Sequence, residues 1–331
     1  MSWIVAAAIA AAPGLSGRAE QIRRRADYLI RHYLTSLILI ATDIKFPPGH
    51  RLGRSRLPGA CPMTITLEFK PTSAKALARF LYARIPGAAR VRFAIKDLAT
   101  RYVSKPEFDG VARLALGEGL IVDVGANRGQ SVAAFRRLLP RCPVVAFEPE
   151  PRSADRLASR FGADRNVTIH ICALGRRPGQ LRFFVPRYGR WDCDGMAAMS
   201  RNEATEWLRD RGRMFRFDER KLTVEEYQVQ CRTLDSFGLS PRLLKLHAQG
   251  AELDILNGAT ETLRRCRPAL MCAFPTPELI EFLDTFDYSP HALEGGNFTP
   301  GVAGKGTTFT WFLPRSGLRA NAKPLFLAAT P

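Results

Sequence analysis

The chain has 331 residues, a formal net charge of +18 at pH 7 and an apolar content of 46%. These values fit one large folded α/β domain with an extension, or two modest domains, and the charge implies attraction to an anionic partner unless the chain is simply a soluble basic protein. The seven cysteines are scattered without a C-x-x-C pair, which argues against a zinc site or any other metal and favours a reducing, cytoplasmic compartment.

The first 104 residues are predicted to form a basic, partly helical extension with a Pro/Gly-rich linker. Residues 1–110 hold roughly 18 Lys and Arg against about seven acids. Met1 to Ala12 is apolar but too short to span a bilayer, so it is a cleaved signal, an anchor or a packed segment. Arginines surround the apolar run Tyr28 to Ile30, a pattern that suits an interfacial helix on an anionic membrane or one packed on the main domain.

From Lys105 to residue 315, strand and helix patterns alternate in the way that builds a parallel sheet covered by helices on both faces. The clearest stretch is Leu120 to Pro151, which predicts a strand, a glycine turn, a helix, a second strand and an acidic residue. Residues 316–331 are predicted to be a C-terminal tail.

The stretch from Leu120 predicts half of a nucleotide-type binding site. Gly125 and Gly129 permit a tight strand-to-helix turn and a close backbone approach, and Glu148 at the end of the second strand can accept hydrogen bonds from ribose hydroxyls. The spacing G-x-x-x-G differs from the dinucleotide fingerprint. Because Asp123 would repel a pyrophosphate and attract a sulfonium, the pattern favours S-adenosylmethionine.

Further elements follow in chain order. Residues 187–226 are polar and lack strand signals, and we expect this insertion to be a functional lid, with a solvated excursion as the alternative. The other predicted strands are 167–172, 229–234, 243–246, 269–274 and 307–313. The other predicted helices are 154–161, 252–263 and 278–286.

Several motifs coincide in order and spacing: VDVGANRGQS, FEP at 147–149, ALG at 173–175, TLD at 233–235 and LLKLHAQGAELDILNGA from Leu243. Together they resemble the FkbM-type S-adenosylmethionine-dependent O-methyltransferases over residues 105–314, about two thirds of the chain. The resemblance implies a Rossmann-like class I methyltransferase fold of α/β class, with a seven-stranded sheet in which the last strand is antiparallel. It also implies a sugar or polyketide-like hydroxyl as the acceptor, that is, a small-molecule or glycan partner.

The resemblance also implies roles for single residues. The positions expected to bind the donor S-adenosylmethionine are Asp123, Gly125, Ala126, Asn127, Gly129, Glu148, Ala173 and Leu174. In the fourth block the family has K-I-D-V-E/Q-G-A-E, whereas His247 stands here in place of the aspartate. A neutral imidazole can accept the hydroxyl proton, with a pKa expected nearer neutrality than that of aspartate.

His247, Lys245 and Glu252 are therefore the candidate catalytic residues. Each has a structural alternative: His247 as a packed side chain after loss of the acceptor site, Lys245 paired with Asp123 or Glu252, and Glu252 as a cap on the turn after Gly250. The second function considered is a donor-binding protein with altered or lost activity, held on membrane or nucleic acid by its basic extension. A nucleic-acid methyltransferase is disfavoured because acids offset the arginines of the insertion.

Overall fold

The computed structural model divides the chain into two units, Met1–Ala78 and Arg79–Pro331. The structure describes residues 76, 79–81, 83–85, 87–100, 105–114, 116–193, 196–210, 213–304 and 306–315. The features expected within residues 1–75 and the C-terminal tail lie outside this set. Among the described helices, none combines the length and apolar character that crossing a membrane requires.

An eight-stranded sheet forms the centre of the second unit. Its strands are β1 Leu120–Val124, β2 Val144–Phe147, β3 Val167–His170, β8 Pro241–Leu246, β9 Ala269–Ala273, β10 Tyr288–Glu294, β11 Asn297–Pro300 and β12 Phe309–Pro314. Across the sheet they follow the order β11-β10-β12-β9-β8-β1-β2-β3. The five strands from β3 to β9 are parallel, and β12 pairs antiparallel with both β9 and β10. The expected seven-stranded methyltransferase sheet is confirmed, and β11 adds an eighth strand at its edge.

Alternating side chains of the central strands build two cores, one on each face of the sheet. Ile121 packs with the side of the sheet that carries α2 (Gln130–Leu138) and α3 (Pro151–Phe161). Val122 packs with the opposite side, which carries α5 (Glu252–Asn257), α6 (Thr260–Cys266) and α7 (Pro277–Thr285). Because β1, β8 and β9 are buried on both faces, most of their residues are apolar, as is usual for central parallel strands, and the buried exceptions are Asp123 and Lys245.

The predicted helix 252–263 is in fact two helices. A Cβ at Gly258 would lie 2.1 Å from the Gly175 carbonyl oxygen, so the chain can approach that loop only through glycine. Helix α6 then starts afresh, with the Asp235 carboxylate accepting hydrogen bonds from the Glu261 and Thr262 amides at 3.0 and 2.8 Å. The Asp235 carboxylate thus caps the start of α6.

The predicted lid, residues 187–226, includes parts of a second sheet. Strands β5 (Gly179–Tyr188) and β7 (Leu222–Arg232) form a long antiparallel pair, flanked by β4 (Ala173–Leu174) and β6 (Trp191–Asp192). Strand β7 therefore begins before the expected residue 229. The rest of the insertion includes α4 (Arg201–Arg209) and a 3₁₀ turn at Glu219–Lys221.

Helix α1 (Ala88–Ala99), assigned by sequence to the extension, lies against this insertion. Ala89 shares a buried apolar cluster with Trp191 and Leu208, and Phe93 packs against it. A 3₁₀ helix, Pro106–Arg113, then leads to β1 and covers the α2 side of the sheet through Phe108 and Val111. The compact unit begins at Arg79, so it includes part of the predicted basic extension.

Candidate functional site

The predicted glycine loop, Glu148 and His247 directly follow the parallel strands β1, β2 and β8 and lie at the edge where these strands end. The glycine loop, residues 124–130, connects β1 to α2. The amides of Gly125 and Ala126 donate to the Phe147 carbonyl oxygen at 3.0 and 3.1 Å, which fixes the loop to the end of β2. The carboxyl edge of such a sheet is where α/β proteins bind ligands.

Positive φ angles shape the glycine loop. Gly125 has φ 71°, and a Cβ there would lie 2.0 Å from the His247 carbonyl oxygen. Gly129 has φ 80° and caps α2, where a Cβ would press on Phe161 and Leu157. Asn127 takes φ 49°, a region that Asn tolerates better than most residues. Both glycines are therefore required by close packing within the protein itself.

Asp123 lies behind the loop rather than in the open. Its carboxylate is fully buried, forms a 2.8 Å ion pair with Lys245 Nζ and accepts a hydrogen bond from Ser131 Oγ. Lys245 Nζ also donates to the Gly125 carbonyl oxygen at 2.9 Å and to that of Val124 at 3.3 Å. The attraction between Asp123 and a cationic ligand, expected from the sequence, is therefore offset by Lys245. Of the two partners considered for Lys245, the structure has Asp123.

Glu148 follows β2 and holds the glycine loop through its carboxylate. Oε2 accepts from the Asn127 amide at 2.7 Å and Oε1 from the Glu150 amide at 2.9 Å. Burial raises the pKa of Glu148 to about 7, although the two amides and Lys245 favour its charged form and lower it. Near neutral pH the charged and the neutral form of the residue are therefore both populated.

We expect Glu148→Gln to change how stability depends on pH. Because the folded-state pKa of about 7 exceeds the ordinary value of 4.5, the unfolded chain ionises first, and stability contributed by the neutral carboxyl is lost as pH rises across that window. The loss amounts to about 3 kcal/mol at most. Relative to wild type, the variant should gain free energy of unfolding between pH 5 and pH 8 in urea titrations; a constant difference would contradict the assignment.

His247 directly follows β8, and its amide donates to the Val124 carbonyl oxygen at 3.1 Å. Its ring meets the rings of Phe309 and Phe274 edge to face, with centroids 5.7 and 6.2 Å away. Burial, with smaller contributions from the charges of Lys245 and Lys105, lowers the pKa of His247 to about 3. The expectation of a pKa nearer neutrality than that of aspartate is therefore wrong, and the ring is neutral but weakly basic.

Glu252 closes the turn that carries His247. Its two carboxylate oxygens accept from the amides of Ala248 at 2.6 Å and Gly250 at 2.9 Å, and the side chain is buried. Gln249 and Gly250 both have positive φ, so this turn depends on the carboxylate that satisfies its amides. The capping geometry considered for Glu252 is the one observed.

Ala173 and Leu174, which the resemblance predicts to bind the donor, are both buried in β4. Ile171 was not predicted from the sequence. It lies two residues before Ala173, directly after β3, and its side chain is 58% exposed. Phe274, directly after β9, is 67% exposed and has φ 44°. Each side chain lies at the carboxyl end of a parallel strand of the central sheet, and an apolar residue at that position was the available signal.

A second contact missed by sequence reasoning is that between α1 and the glycine loop. The Arg128 guanidinium, buried in the loop, lies 3.8 Å above the Phe93 ring. Asp97 Oδ1 lies 3.7 Å from Arg128 Nε and 3.6 Å from Arg160 NH1. Arg160 NH1 also donates to the Arg128 carbonyl oxygen. The α1 helix therefore braces the loop from outside the sheet.

We expect Asp97→Ala to weaken the binding of S-adenosylhomocysteine by about tenfold, or about 1.4 kcal/mol, because the loop would lose the carboxylate that pairs with Arg128 and Arg160. Asp164→Ala is the matched control, since it removes the ion pair to Arg136 on α2 and leaves the loop contacts intact. Calorimetric titration of both variants checks this. Equal affinities in the two would contradict a role for α1 in the site.

The second sheet is joined to the same edge through Arg152 at the start of α3. Arg152 pairs with Glu225 of β7, and its NH1 lies 3.4 Å from Asp192 Oδ1 of β6. Tyr227 donates to Glu225, and burial together with this bond raises the pKa of Tyr227 to about 12. These contacts hold the insertion to the start of α3, which directly follows Glu148 and Glu150 in the sequence. Trp191 of β6 is buried within the insertion.

The model of the family described as Methyltransferase FkbM domain matches residues 123–292, just over half of the chain. The chain is 30% identical over 167 residues to 2-O-methyltransferase NoeI of Sinorhizobium fredii, covering 47% of this chain and 64% of the relative. It is 27% identical over 150 residues to Methyltransferase 1 of Beauveria bassiana, covering 43% and 58%. The chain thus spans less than two thirds of either relative.

Among solved structures, the chain is similar to Methyltransferase FkbM from Methylobacillus flagellatus. The TM-score is 0.39 and the sequence identity 15%, with 74% of this chain and 55% of that chain covered.

Proposed function

The chain belongs to the FkbM methyltransferase family, and from this premise we propose that it is an S-adenosylmethionine-dependent O-methyltransferase acting on a hydroxyl of a sugar, glycan or small metabolite. The observation that carries the proposal is the convergence of the glycine loop, Glu148 and the His247 turn at one sheet edge within the matched domain. The 2-O-methyltransferase activity named for the rhizobial relative supports a sugar-type hydroxyl as the acceptor.

The residues fit the methyl donor in two respects. The Glu148 carboxylate has about four lone-pair sites, of which two accept backbone amides, so two remain for ribose hydroxyls. The exposed side chain of Ile171 offers an apolar surface for an adenine ring beside β4. Asp123 and Lys245 act on the donor indirectly, because their ion pair holds the glycine loop against β8.

When bound, the donor supplies an activated methyl group whose leaving group is a neutral thioether. The chain's own task is then mainly alignment of the acceptor hydroxyl with that methyl group. The His247 turn, held by Glu252, lies at the carboxyl end of β8, and Phe274 adds an exposed aromatic surface next to the His247 ring. We propose that His247 contacts the acceptor and that Phe274 packs on the apolar part of the acceptor. A side chain with a pKa of about 3 is a poor general base above pH 5.

The direct test is transfer of a tritiated methyl group from S-adenosylmethionine to a panel of methyl and p-nitrophenyl glycosides. We expect label in at least one glycoside. We also expect that titration of His247 does not change kcat between pH 5 and pH 8. His247→Ala should then raise KM more than it lowers kcat. A loss of about 10²–10⁴-fold in kcat would instead assign base catalysis to His247. Absence of transfer to every glycoside and hydroxylated metabolite tried would contradict the proposal.

The second function is a donor-binding protein with altered or lost methyl transfer, and the replacement of the family aspartate by His247 favours it. It predicts binding of S-adenosylhomocysteine without transfer, and recovery of transfer in His247→Asp. We also propose that the basic N-terminal segment makes peripheral contact with a membrane, since arginines accompany its apolar runs. Deleting residues before Lys105 is an unsuitable test, because it would remove the α1 brace as well.

A further inference from the structure

Helix α1 has two unlike faces. Its inner face packs on the enzyme through Ala89, Phe93 and Asp97, which follow one another at four-residue intervals. Its outer face carries Val91, Ile95 and Leu98, which lie within a narrow arc opposite the packed face. These three side chains are 60%, 46% and 49% exposed. Three large apolar side chains in successive turns make a continuous stripe rather than scattered surface residues.

Charged groups beside the stripe are cationic. Arg90 lies on one flank and is exposed, and Arg92 lies on the other. Just before α1, Arg84 is exposed, as are Leu81 and Ile85, at 42% and 49%. The single acid of α1, Asp97, faces Arg128 and Arg160 on the inner side. The outward half of this segment is therefore apolar and basic, with its carboxylate directed inward.

We propose that the outer face of α1 binds an anionic lipid surface. An apolar stripe between arginines is the arrangement by which interfacial helices insert side chains below lipid headgroups while guanidinium groups meet lipid phosphates. A second copy of the chain would set one basic rim against another, and the net charge of +18 opposes that association. Nucleic acid would use the arginines and leave the stripe exposed to water. This proposal specifies the membrane contact proposed above and is independent of methyl transfer.

The test is co-sedimentation of the full chain with phosphatidylcholine vesicles, with and without phosphatidylglycerol. Wild type should bind the anionic vesicles and bind neutral ones at least tenfold more weakly. Ile95→Gln with Leu98→Gln should lower affinity for anionic vesicles by at least tenfold, and Arg84→Gln with Arg90→Gln should remove most of the preference for anionic lipid. Val302→Gln and Arg264→Gln are matched controls, exposed elsewhere and expected to bind like wild type.

Each variant is also measured for Tm, for molecular mass in solution and for S-adenosylhomocysteine affinity, so that failure of this proposal is distinguishable from failure of the methyltransferase assignment. Unchanged vesicle binding in Ile95→Gln with Leu98→Gln would overturn the proposal. So would a lowered Tm in that variant, since the stripe would then be covered within the protein, or a reduced molecular mass, since a second copy would then occupy it.

Discussion

Replacing Lys245 by methionine is expected to lower the free energy of unfolding by about 3–5 kcal/mol, because the buried carboxylate of Asp123 would lose its partner. The two side chains are 2% and 0% exposed, and the ion pair measures 2.8 Å. The same change removes the bonds from Lys245 to the Val124 and Gly125 carbonyl oxygens, which fix the end of β1. Urea unfolding of the variant measures the effect.

The double variant Asp123→Asn with Lys245→Met separates charge from packing. We expect it to recover a large part of the lost stability, since no unpaired charge remains. Arg264→Met serves as the control for an exposed pair: Arg264 and Glu261 are 61% and 73% exposed, and such pairs contribute about 1 kcal/mol or less. A Lys245→Met variant as stable as Arg264→Met would contradict the account of a buried, structurally required pair.

Gly125→Ala is expected to abolish donor binding and destabilise the fold. Its Cβ would lie 2.0 Å from the His247 carbonyl oxygen, so the ends of β1 and β8 would have to separate, and φ 71° adds backbone strain. Gly117→Ala is a matched control, because Gly117 has φ 59° with nothing within 4 Å of the added Cβ. The control should lose about 1–2 kcal/mol from strain.

The two variants are compared by S-adenosylhomocysteine titration and by Tm. We expect the control to bind like wild type. If Gly125→Ala also bound like wild type, the close approach of the glycine loop to the His247 turn would have no functional importance.

The sequence predicts the glycine loop and Glu148 well because their signals are local. A strand that must turn at once into a helix needs positive φ at Gly125 and Gly129, and the apolar run of β2 fixes the position of Glu148. The sheet follows from the same alternation, together with the family motifs. These features depend on neighbours within about 20 residues, which sequence patterns capture.

Other parts of the site depend on contacts between distant segments. The pKa of His247 reflects burial beside Phe274 and Phe309 and the charge of Lys105, none of which its sequence context indicates. Strand β7 was expected to start at residue 229 because its first half is charged, but pairing with β5 extends it back to Leu222. The brace formed by Asp97 joins α1 to residues more than 30 positions away, and its only local signal is a single acid in a basic helix.

We propose that the methyl donor binds at the carboxyl edge of β1 and β2. Isothermal titration of the full chain with S-adenosylhomocysteine tests it most directly, with Glu148→Ala and the exposed-site variant Arg264→Gln measured beside wild type. The account predicts one binding site in wild type and in Arg264→Gln, and at least a tenfold loss of affinity in Glu148→Ala. Absence of binding in wild type, or undiminished affinity in Glu148→Ala, would contradict it.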